Sequence, residues 1–407
     1  MNSCDVAIVG GGMVGASFAL ALGGTGLRVT LIEGVPPDSA SQPSFDERTT
    51  ALGNGSRQIF RSLGVWDEMA AESAAIRAIH VSDAGRFGVA RLESEDQGVE
   101  AFGYVVPNRV IGRVLWQALR KAPNVTLVMP AKLEHAHLRD DGVELDLLVD
   151  GKPERVCAAL AVAADGAGSV LRKSAGIDAA VEDYDQVAVV VNCGTDRPNT
   201  GQAFERFTPT GPLAVLPLRN GETGGNYAVI WAVKPERAAE PMALDDAAFA
   251  ARLLDAFGWR AGRWTRIGKR NTYPLALSRA DQTVAGRVVL IGNAAQALHP
   301  VAGQGFNLGL RDAATLAEML ASGGHTPDFN ELLARFAAWR DEDRRGVTRF
   351  TDGLVKLFGS ELPGLAAIRN FGLLLFDLSP TAKRALSRVS WGFAGRMPRL
   401  SRGLPLE

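Results

Sequence analysis

The sequence predicts an α/β protein with a Rossmann-like nucleotide-binding domain, an inserted antiparallel β-sheet and C-terminal helices. The chain opens with a strand, a glycine-rich turn, a helix and a second strand, which is the order of a parallel β-α-β unit. Residues 184–277 are rich in short strands with Gly, Asn and Pro turns, which favours antiparallel pairing. From Phe329 onward the pattern is helical.

Four consecutive segments define the N-terminal unit. Val6–Val9 is a short apolar run rich in β-branched residues, and Gly10–Gly15 is the turn. Ala16–Leu22 has small, helix-forming side chains, and Arg28–Glu33 is the second strand. A loop containing Pro36, Pro37 and Pro43 follows.

The segments that follow predict helices and a hairpin of the same domain. Helical spacing covers Ile59–Ala71 and Asn108–Lys121. Thr126–Val128 is strand-like, and the runs Val143–Val149 and Val156–Ala164 flank an Asp-Gly pair that is typical of a hairpin turn.

The inserted sheet is predicted from alternating and apolar runs separated by turns. Val81–Tyr104 is also rich in turns and is expected to join it. After the insert, Val288–Ile291 again has the pattern of a buried strand, and a helix is expected from about Asn307. The runs of the insert are Val187–Val191, Leu213–Leu218 and Tyr227–Val233.

Composition excludes several classes of protein. The 407 residues carry 44 Lys and Arg against 45 Asp and Glu, whereas a dedicated nucleic-acid binder needs a basic excess. Cys4, Cys157 and Cys193 form no C-x-x-C pair, so we expect a reducing compartment, no disulfide framework and no thiolate zinc site. The first strand follows Met1 too closely for a signal peptide, and no apolar run approaches the roughly 18 residues of a membrane span. These features predict a cytoplasmic protein that is either soluble or attached to a membrane surface.

The first candidate site is a dinucleotide fingerprint. Gly10, Gly12 and Gly15 form G-x-G-x-x-G between a strand and a helix, where backbone N–H groups approach a pyrophosphate. Glu33, at the end of the next strand, is placed to accept hydrogen bonds from ribose hydroxyls. At this point NAD and FAD remain alternatives.

Two later motifs also lie at strand ends. Asp165-Gly166 follows a strand, and such a pair alone is usually a turn. Gly292-Asn293 follows the strand at 288–291, and Gly303 and Gly305 precede a helix, where N–H groups can face an anionic or electron-rich group.

The three motifs in this order resemble the flavin-dependent aromatic hydroxylases of the p-hydroxybenzoate hydroxylase type. The resemblance covers residues 5 to 350 and is greatest to the ubiquinone-pathway ring hydroxylases, especially those acting on 2-polyprenyl-6-methoxyphenol. The family's G-D motif is Gly292-Asn293 here, which keeps an acceptor oxygen without the charge and resembles that branch. The supporting segments are Arg48–Leu52, Leu63–Trp66, Ala203–Phe207, Gly211–Ala214 and Tyr273–Leu277.

The resemblance implies a division into three parts. A discontinuous Rossmann-like FAD-binding domain would comprise residues 1–75, 105–182 and 278–330. An inserted antiparallel β-sheet substrate domain would comprise residues 76–104 and 183–277, and residues 331–407 would form a C-terminal helical region.

It also implies roles for single residues. The AMP half of FAD would be held by Gly10, Gly12, Gly15 and Glu33, with Asp165 supporting the cofactor. Arg48 and Asn108 would lie near the pyrophosphate, flavin and ribityl chain; the alternatives are a surface salt bridge and a helix N-cap. Asn293 would meet the ribityl chain, and Gly303, Gly305, Phe306 and Asn307 would line the isoalloxazine. Pro300 would present its carbonyl to the flavin, and His299 either donates in the active site or supports the loop. Phe204, Phe207, Leu216 and Tyr273 are candidates to line the substrate pocket, the alternative being ordinary core.

The activity implied is ring hydroxylation of a polyprenyl phenol. NADPH or NADH would reduce FAD, and O₂ would then form a flavin hydroperoxide that transfers one oxygen atom. The alternatives are a related hydroxylase acting on another ring position or phenol, and a flavin-free scaffold of a ubiquinone-biosynthesis assembly. Neither a nucleophile nor a metal-ligand set is evident in the sequence, which fits chemistry supplied by a cofactor.

The C-terminal segment is basic. Residues 379–407 hold six Lys and Arg against one Glu, near apolar and aromatic residues. Two interpretations remain, docking on the inner face of an anionic membrane and a solvated face of helices that cap the first domain. The basic residues are Lys383, Arg384, Arg388, Arg396, Arg399 and Arg402.

Overall fold

The computed structural model describes residues 2–39, 42–222, 224–299, 303–323, 328–359 and 395–406, and the single residues 377 and 379. Pro300 and the basic residues Lys383, Arg384 and Arg388 lie outside the described residues. The described chain forms an eight-stranded, a nine-stranded and a three-stranded sheet.

The eight-stranded sheet is the layer predicted from the N-terminal unit. Strand β1 (Asn2–Val9) lies between β2 (Val29–Ile32) and β11 (Lys152–Ala163), and all three run parallel. Strands β8 (Val125–Val128) and β19 (Val288–Leu290) extend the parallel order on either side. The continuous apolar runs fit strands buried on both faces, and the predicted Rossmann-like order is confirmed.

Helices bury the apolar surface of this layer. Helices α1 (Met13–Ala21), α4 (Asn108–Leu119) and α8 (Gln304–Ser322) share one core cluster with the central strands. The predicted hairpin is formed by β10 (Val143–Val149) and β11, which pair antiparallel. Strand β9 (Ala131–Leu138), which was not predicted from the sequence, pairs antiparallel with β10 and extends the sheet.

The nine-stranded sheet is the predicted insert. Its strands are β5 (Ala78–Asp83), β6 (Val89–Glu93), β12 (Ala179–Thr195), β13 (Gln202–Thr208), β14 (Gly211–Leu218), β15 (Asn226–Val233), β16 (Trp264–Ile267), β17 (Asn271–Ala280) and β20 (Gln296–Ala297). They lie in the order β20-β17-β12-β15-β14-β13-β5-β6, and β16 pairs with β12. Among the described strands, β13 and β5 form the one parallel pair of this sheet. Helix α7 (Asp246–Phe257), which is not among the elements predicted above, covers one face.

A three-stranded sheet connects the two layers. Its central strand β7 (Gly103–Pro107) pairs with β3 (Thr49–Gly53) and β4 (Ala74–Ile76). Val106 belongs to the first core cluster, whereas Val105 packs with side chains of the insert. The domain boundaries given above stay a prediction.

The helix predicted at 59–71 is in fact two helices. Helix α2 (Asn54–Ser62) and helix α3 (Trp66–Ala70) are separated at Gly64, whose φ of 72° ends the first helix. The remaining short elements are α5 (Val170–Ser174), α6 (Ala239–Ala243) and β18 (Val284–Ala285).

A buried ionic cluster holds the C-terminal helix on α8. In α9 (Phe329–Gly359), Arg340 donates to Asp312 of α8 at 2.8 Å, and Arg344 lies 3.1 Å from the same carboxylate. Residues 395–406 return to this region and bury Leu400. Among the described residues, no helix combines the length and apolar character needed to span a bilayer.

Candidate active site

The glycine-rich turn brings the start of α1 against the end of β1. Gly10 has a φ of 103°, and a Cβ there would lie 2.5 Å from the Ala164 carbonyl oxygen. A Cβ on Gly15 would lie 1.9 Å from the Gly10 oxygen, so both positions require glycine. Gly12 is the residue preceding α1 and has more room, since its nearest atom would be Ser44 Oγ at 3.2 Å. The turn therefore leaves N–H groups facing outward at a helix N-terminus.

Glu33 closes one side of this turn. Its carboxylate accepts hydrogen bonds from the backbone N–H of Gly11 at 2.5 Å and of Val35 at 2.8 Å. A carboxylate has about four acceptor positions, so these two contacts leave capacity for ribose hydroxyls.

Arg48 forms a cluster that links the segment before β3 to the nine-stranded sheet. Its guanidinium contacts the Asp46 carboxylate at 2.7 Å and stacks 4.6 Å from the ring centre of Tyr273 on β17. The Tyr273 hydroxyl in turn donates to Asp46 at 3.3 Å. The Arg48–Asp46 salt bridge is thus partly exposed, and through Tyr273 it joins the segment before β3 to the insert.

Asn108 is buried at the first turn of α4. Its side-chain oxygen accepts a hydrogen bond from Thr50 Oγ1 at 2.7 Å, and its backbone N–H donates to the Arg48 carbonyl at 2.8 Å. The residue preceding the helix is Pro107, so the expected N-cap alternative for Asn108 is wrong.

The Asp-Gly motif has a clear local role. Asp165 accepts hydrogen bonds from the Ser169 hydroxyl and from the backbone N–H of Val170 and Leu171, so it caps α5. Its backbone N–H lies 2.7 Å from the position that a Gly10 Cβ would take. Asp165 therefore shapes the floor of the glycine-rich turn.

Asn293 lies on a turn beside α1. The preceding Gly292 has a φ of 58° and would place a Cβ 3.2 Å from Val14 of α1. The Asn293 side chain is exposed and makes no hydrogen bond with the part of the chain that the structure describes. Its amide is therefore available to a ligand chain that passes from the glycine-rich turn toward α8.

The start of α8 combines open space with a rigid anchor. Gly303 adopts the left-handed conformation, with φ of 59°, and a Cβ on Gly305 would meet open space. Asn307 is buried and makes four hydrogen bonds: its oxygen accepts from Gly53 N–H and Ser56 Oγ, and its amide donates to the Ala51 and Gly303 carbonyls. Asn307 therefore holds the backbone in place, and its amide has no capacity left for a flavin.

Phe306 and His299 both point into the protein. The Phe306 ring stacks on Phe60 with centroids 6.3 Å apart, so only its backbone is free to line a cofactor. His299 is 1% exposed, and burial lowers its pKa to about 4. Its Nε2 lies 3.1 Å from Gln186 Oε1, and because an amide oxygen only accepts, Nε2 carries the hydrogen. The imidazole is therefore neutral and fixed at neutral pH.

The predicted substrate-lining residues separate onto two faces of the inserted sheet. Phe204 packs against Phe257 of α7 with centroids 5.1 Å apart, so its interpretation as a pocket residue is wrong. Leu216 lies on the opposite face, in an apolar cluster shared with the first domain, and Tyr273 also approaches that domain. Phe207 is buried and lies three residues after Phe204 on β13, so it occupies the opposite face of the strand. Alternation along β13 explains the split.

Sequence reasoning missed several residues of the site. Asp46 meets Tyr273, and Gln186 meets His299, only through the tertiary fold, so no local sequence pattern predicts either contact. Glu205 lies within the resembling segment Ala203–Phe207, on the same face of β13 as Ala203 and Phe207.

Comparisons with known proteins agree with this geometry. A family model described as FAD binding domain matches residues 3–351. Ubiquinone hydroxylase UbiL of Rhodospirillum rubrum is 36% identical over 410 residues, covering 99% of this chain and 93% of the relative. The 3-demethoxyubiquinol 3-hydroxylase of Escherichia coli is 32% identical, covering 95% of this chain and 98% of the relative.

A solved structure shares the fold. The p-nitrophenol 4-monooxygenase PnpA from Pseudomonas putida has a TM-score of 0.79 at 22% identity, covering 97% of this chain and all of that chain. The fold and the site thus define a flavin-dependent monooxygenase. The chain belongs to the FAD binding domain family, and its resemblance to the flavin-dependent aromatic hydroxylases is confirmed.

Proposed function

We propose that this protein hydroxylates the aromatic ring of 2-polyprenyl-6-methoxyphenol in ubiquinone biosynthesis, with FAD as cofactor and NADPH or NADH as reductant. The observation that carries the proposal is the 36% identity to a ubiquinone hydroxylase over 99% of the chain. The 3-demethoxyubiquinol 3-hydroxylase of Escherichia coli, whose name contains a quinol, is similar over 95% of this chain.

The residues present fit FAD. The glycine-rich turn offers backbone N–H groups to the pyrophosphate, Asn293 offers its amide to the ribityl chain, and Gly305 leaves room beside the N-terminus of α8. When bound, FAD supplies the two-electron chemistry that links NAD(P)H to O₂. Overall, one oxygen atom enters a ring C–H bond and the other leaves as water, while NAD(P)H is oxidised.

The protein's own part is to position the phenol and to exclude water. The face of the insert that lies toward the first domain is lined by small and aliphatic side chains, which suit a polyprenyl phenol. The Arg48–Asp46–Tyr273 cluster fixes the insert against the first domain and so sets the distance between ring and cofactor.

The test compares three phenolic substrates. Purified protein with measured flavin content is supplied with NAD(P)H, O₂ and either 2-polyprenyl-6-methoxyphenol, the phenol without its methoxy group, or a demethoxyquinol. The proposal predicts that the methoxyphenol gives the highest yield of hydroxylated product. Preference for the demethoxyquinol would favour another ring position, a second candidate supported by the relative from Escherichia coli.

Docking on an anionic membrane surface remains part of this proposal. Arg396 is exposed and stacks 3.7 Å from the ring centre of Trp339, and Arg402 is also exposed. A polyprenyl substrate partitions into bilayers, so a basic surface beside aromatic side chains would assist its transfer.

A further inference from the structure

Glu205 is a carboxylate placed inside an otherwise apolar surface. It lies on β13 opposite Ala214 of β14, and the same row continues through Ile230 of β15 to Val190 of β12. Directly opposed residues share one face of a sheet. Glu205 is therefore on the face away from α7, among side chains that offer it no hydrogen bond.

Contacts of its neighbours show what this face meets. Ala203, two residues earlier on β13, packs with Val105 and Ala51 of the three-stranded sheet, and so does Leu216. A Cβ on Gly303 would lie 3.4 Å from Ala51 Cβ. Glu205 lies about 7 Å along β13 from Ala203, whose apolar cluster includes the Ala51 that faces Gly303 at the start of α8.

One oxygen of the Glu205 carboxyl group, Oε1, is buried and has no hydrogen-bond partner within the described residues. The charged groups on the same face are engaged elsewhere: Asp83 of β5 lies 3.7 Å from Arg86, and Arg48 pairs with Asp46 beside Tyr273. Arg206 projects to the other face, where it donates to the Ala256 carbonyl near α7.

A buried acceptor without a partner is costly to keep. Burial raises the pKa of the Glu205 carboxyl to about 7, so it exchanges a proton readily at neutral pH. A group with those properties, on the face that the proposed function assigns to the substrate, matches the requirement for a general base.

We propose that Glu205 accepts the hydroxyl proton of the phenolic substrate, an inference that rests on the proposed function. The phenol O–H bond breaks, its proton moves to the Glu205 carboxylate, and the electron pair stays on the phenol oxygen. The resulting phenolate has higher electron density at the ortho and para carbons, where oxygen is inserted. Once the new C–O bond has formed, the same ring carbon loses its hydrogen as a proton to water, and the protonated Glu205 carboxyl returns its own proton to the product phenolate, which restores the carboxylate.

The experiment uses flavin-loaded protein and 2-farnesyl-6-methoxyphenol as the probe. Hydroxylated product and NAD(P)H consumption are measured from pH 6 to 10 for native protein, Glu205→Gln, Glu205→Asp and the control Glu93→Gln. Glu93 is an exposed carboxylate on β6 of the same sheet. Flavin content and circular dichroism verify that each variant is folded and loaded.

Native protein and Glu93→Gln should reach a plateau in hydroxylation rate above about pH 7. Glu205→Gln should lose about 100-fold in hydroxylation at pH 7 and recover as pH approaches the phenol's own pKa of about 10. Its NAD(P)H oxidation should yield less product per reductant consumed. Glu205→Asp should restore the plateau at a lower rate.

Two results separate the possible failures. If native protein hydroxylates the probe and Glu205→Gln has the same rate and pH profile, the role of Glu205 is refuted while the proposed function stands. If native flavoprotein hydroxylates no phenol, the proposed function fails and the role of Glu205 fails with it.

Discussion

At the scale of single residues, a substitution at Gly12 tests flavin binding without disturbing the fold. A side chain at Gly10 or Gly15 would collide with backbone at 2.5 or 1.9 Å, whereas Gly12 has φ of −62° and only Ser44 nearby. Gly12→Val should therefore fold but lack flavin, because its branched side chain blocks approach to the N–H groups. Flavin absorbance and circular dichroism measure both properties, and Gly12→Ala is the milder control. Full flavin content in Gly12→Val would show that the cofactor lies elsewhere.

Glu205 also predicts a stability change that needs no substrate. Its pKa is about 7 in the folded protein and near 4.5 when unfolded, so folding binds a proton between these values. Stability therefore falls as pH rises from 4.5 to 7, by about 1 kcal/mol per pH unit at most. Glu205→Gln removes this loss and should raise the melting temperature at pH 8 but not at pH 4. An equal effect at both pH values would mean that the carboxyl titrates normally.

At the scale of elements, Asn307 joins the start of α8 to β3 and α2. Removing its amide leaves the Gly53 N–H, the Ser56 hydroxyl and the Ala51 carbonyl without their partner. Asn307→Ala should cost about 2–4 kcal/mol in the free energy of unfolding, measured by denaturant titration. Asn330→Ala, at an exposed position in α9, is the control that should change little. Native stability in Asn307→Ala would indicate that these contacts are replaced by water.

Local sequence patterns predicted the elements that short-range interactions determine. The β-branched run at 6–9, the glycine turn and the Asp150-Gly151 hairpin all depend on short-range geometry and are present as expected. Helix α7 also carries local signals, because Asp245 caps it and Phe249, Leu253 and Phe257 recur every four residues, so the sequence could have predicted it. The strand pairing of the insert depends instead on contacts between distant segments. For the same reason, alternation indicates that Phe204 and Glu205 occupy opposite faces, but not which face meets the first domain.

At the scale of the whole molecule, the basic C-terminal segment predicts membrane docking. Within the described part, Arg399 approaches the Pro405 carbonyl at 3.0 Å, whereas Arg396 and Arg402 remain exposed. Native protein should sediment with anionic vesicles, less so in added salt, and the triple change of Arg396, Arg399 and Arg402 to Ser should weaken binding. Equal sedimentation with neutral and anionic vesicles, or none with either, would remove the docking proposal and leave the flavin assignment unaffected.

The proposed function is the insertion of one atom of O₂ into the ring of a polyprenyl phenol by this flavoprotein. Its most direct test is turnover of 2-polyprenyl-6-methoxyphenol with NAD(P)H under ¹⁸O₂, followed by mass spectrometry of the product. The expected product carries a single ¹⁸O atom in a new ring hydroxyl. A hydroxyl derived from water, or consumption of NAD(P)H and O₂ with no hydroxylated phenol, would contradict it.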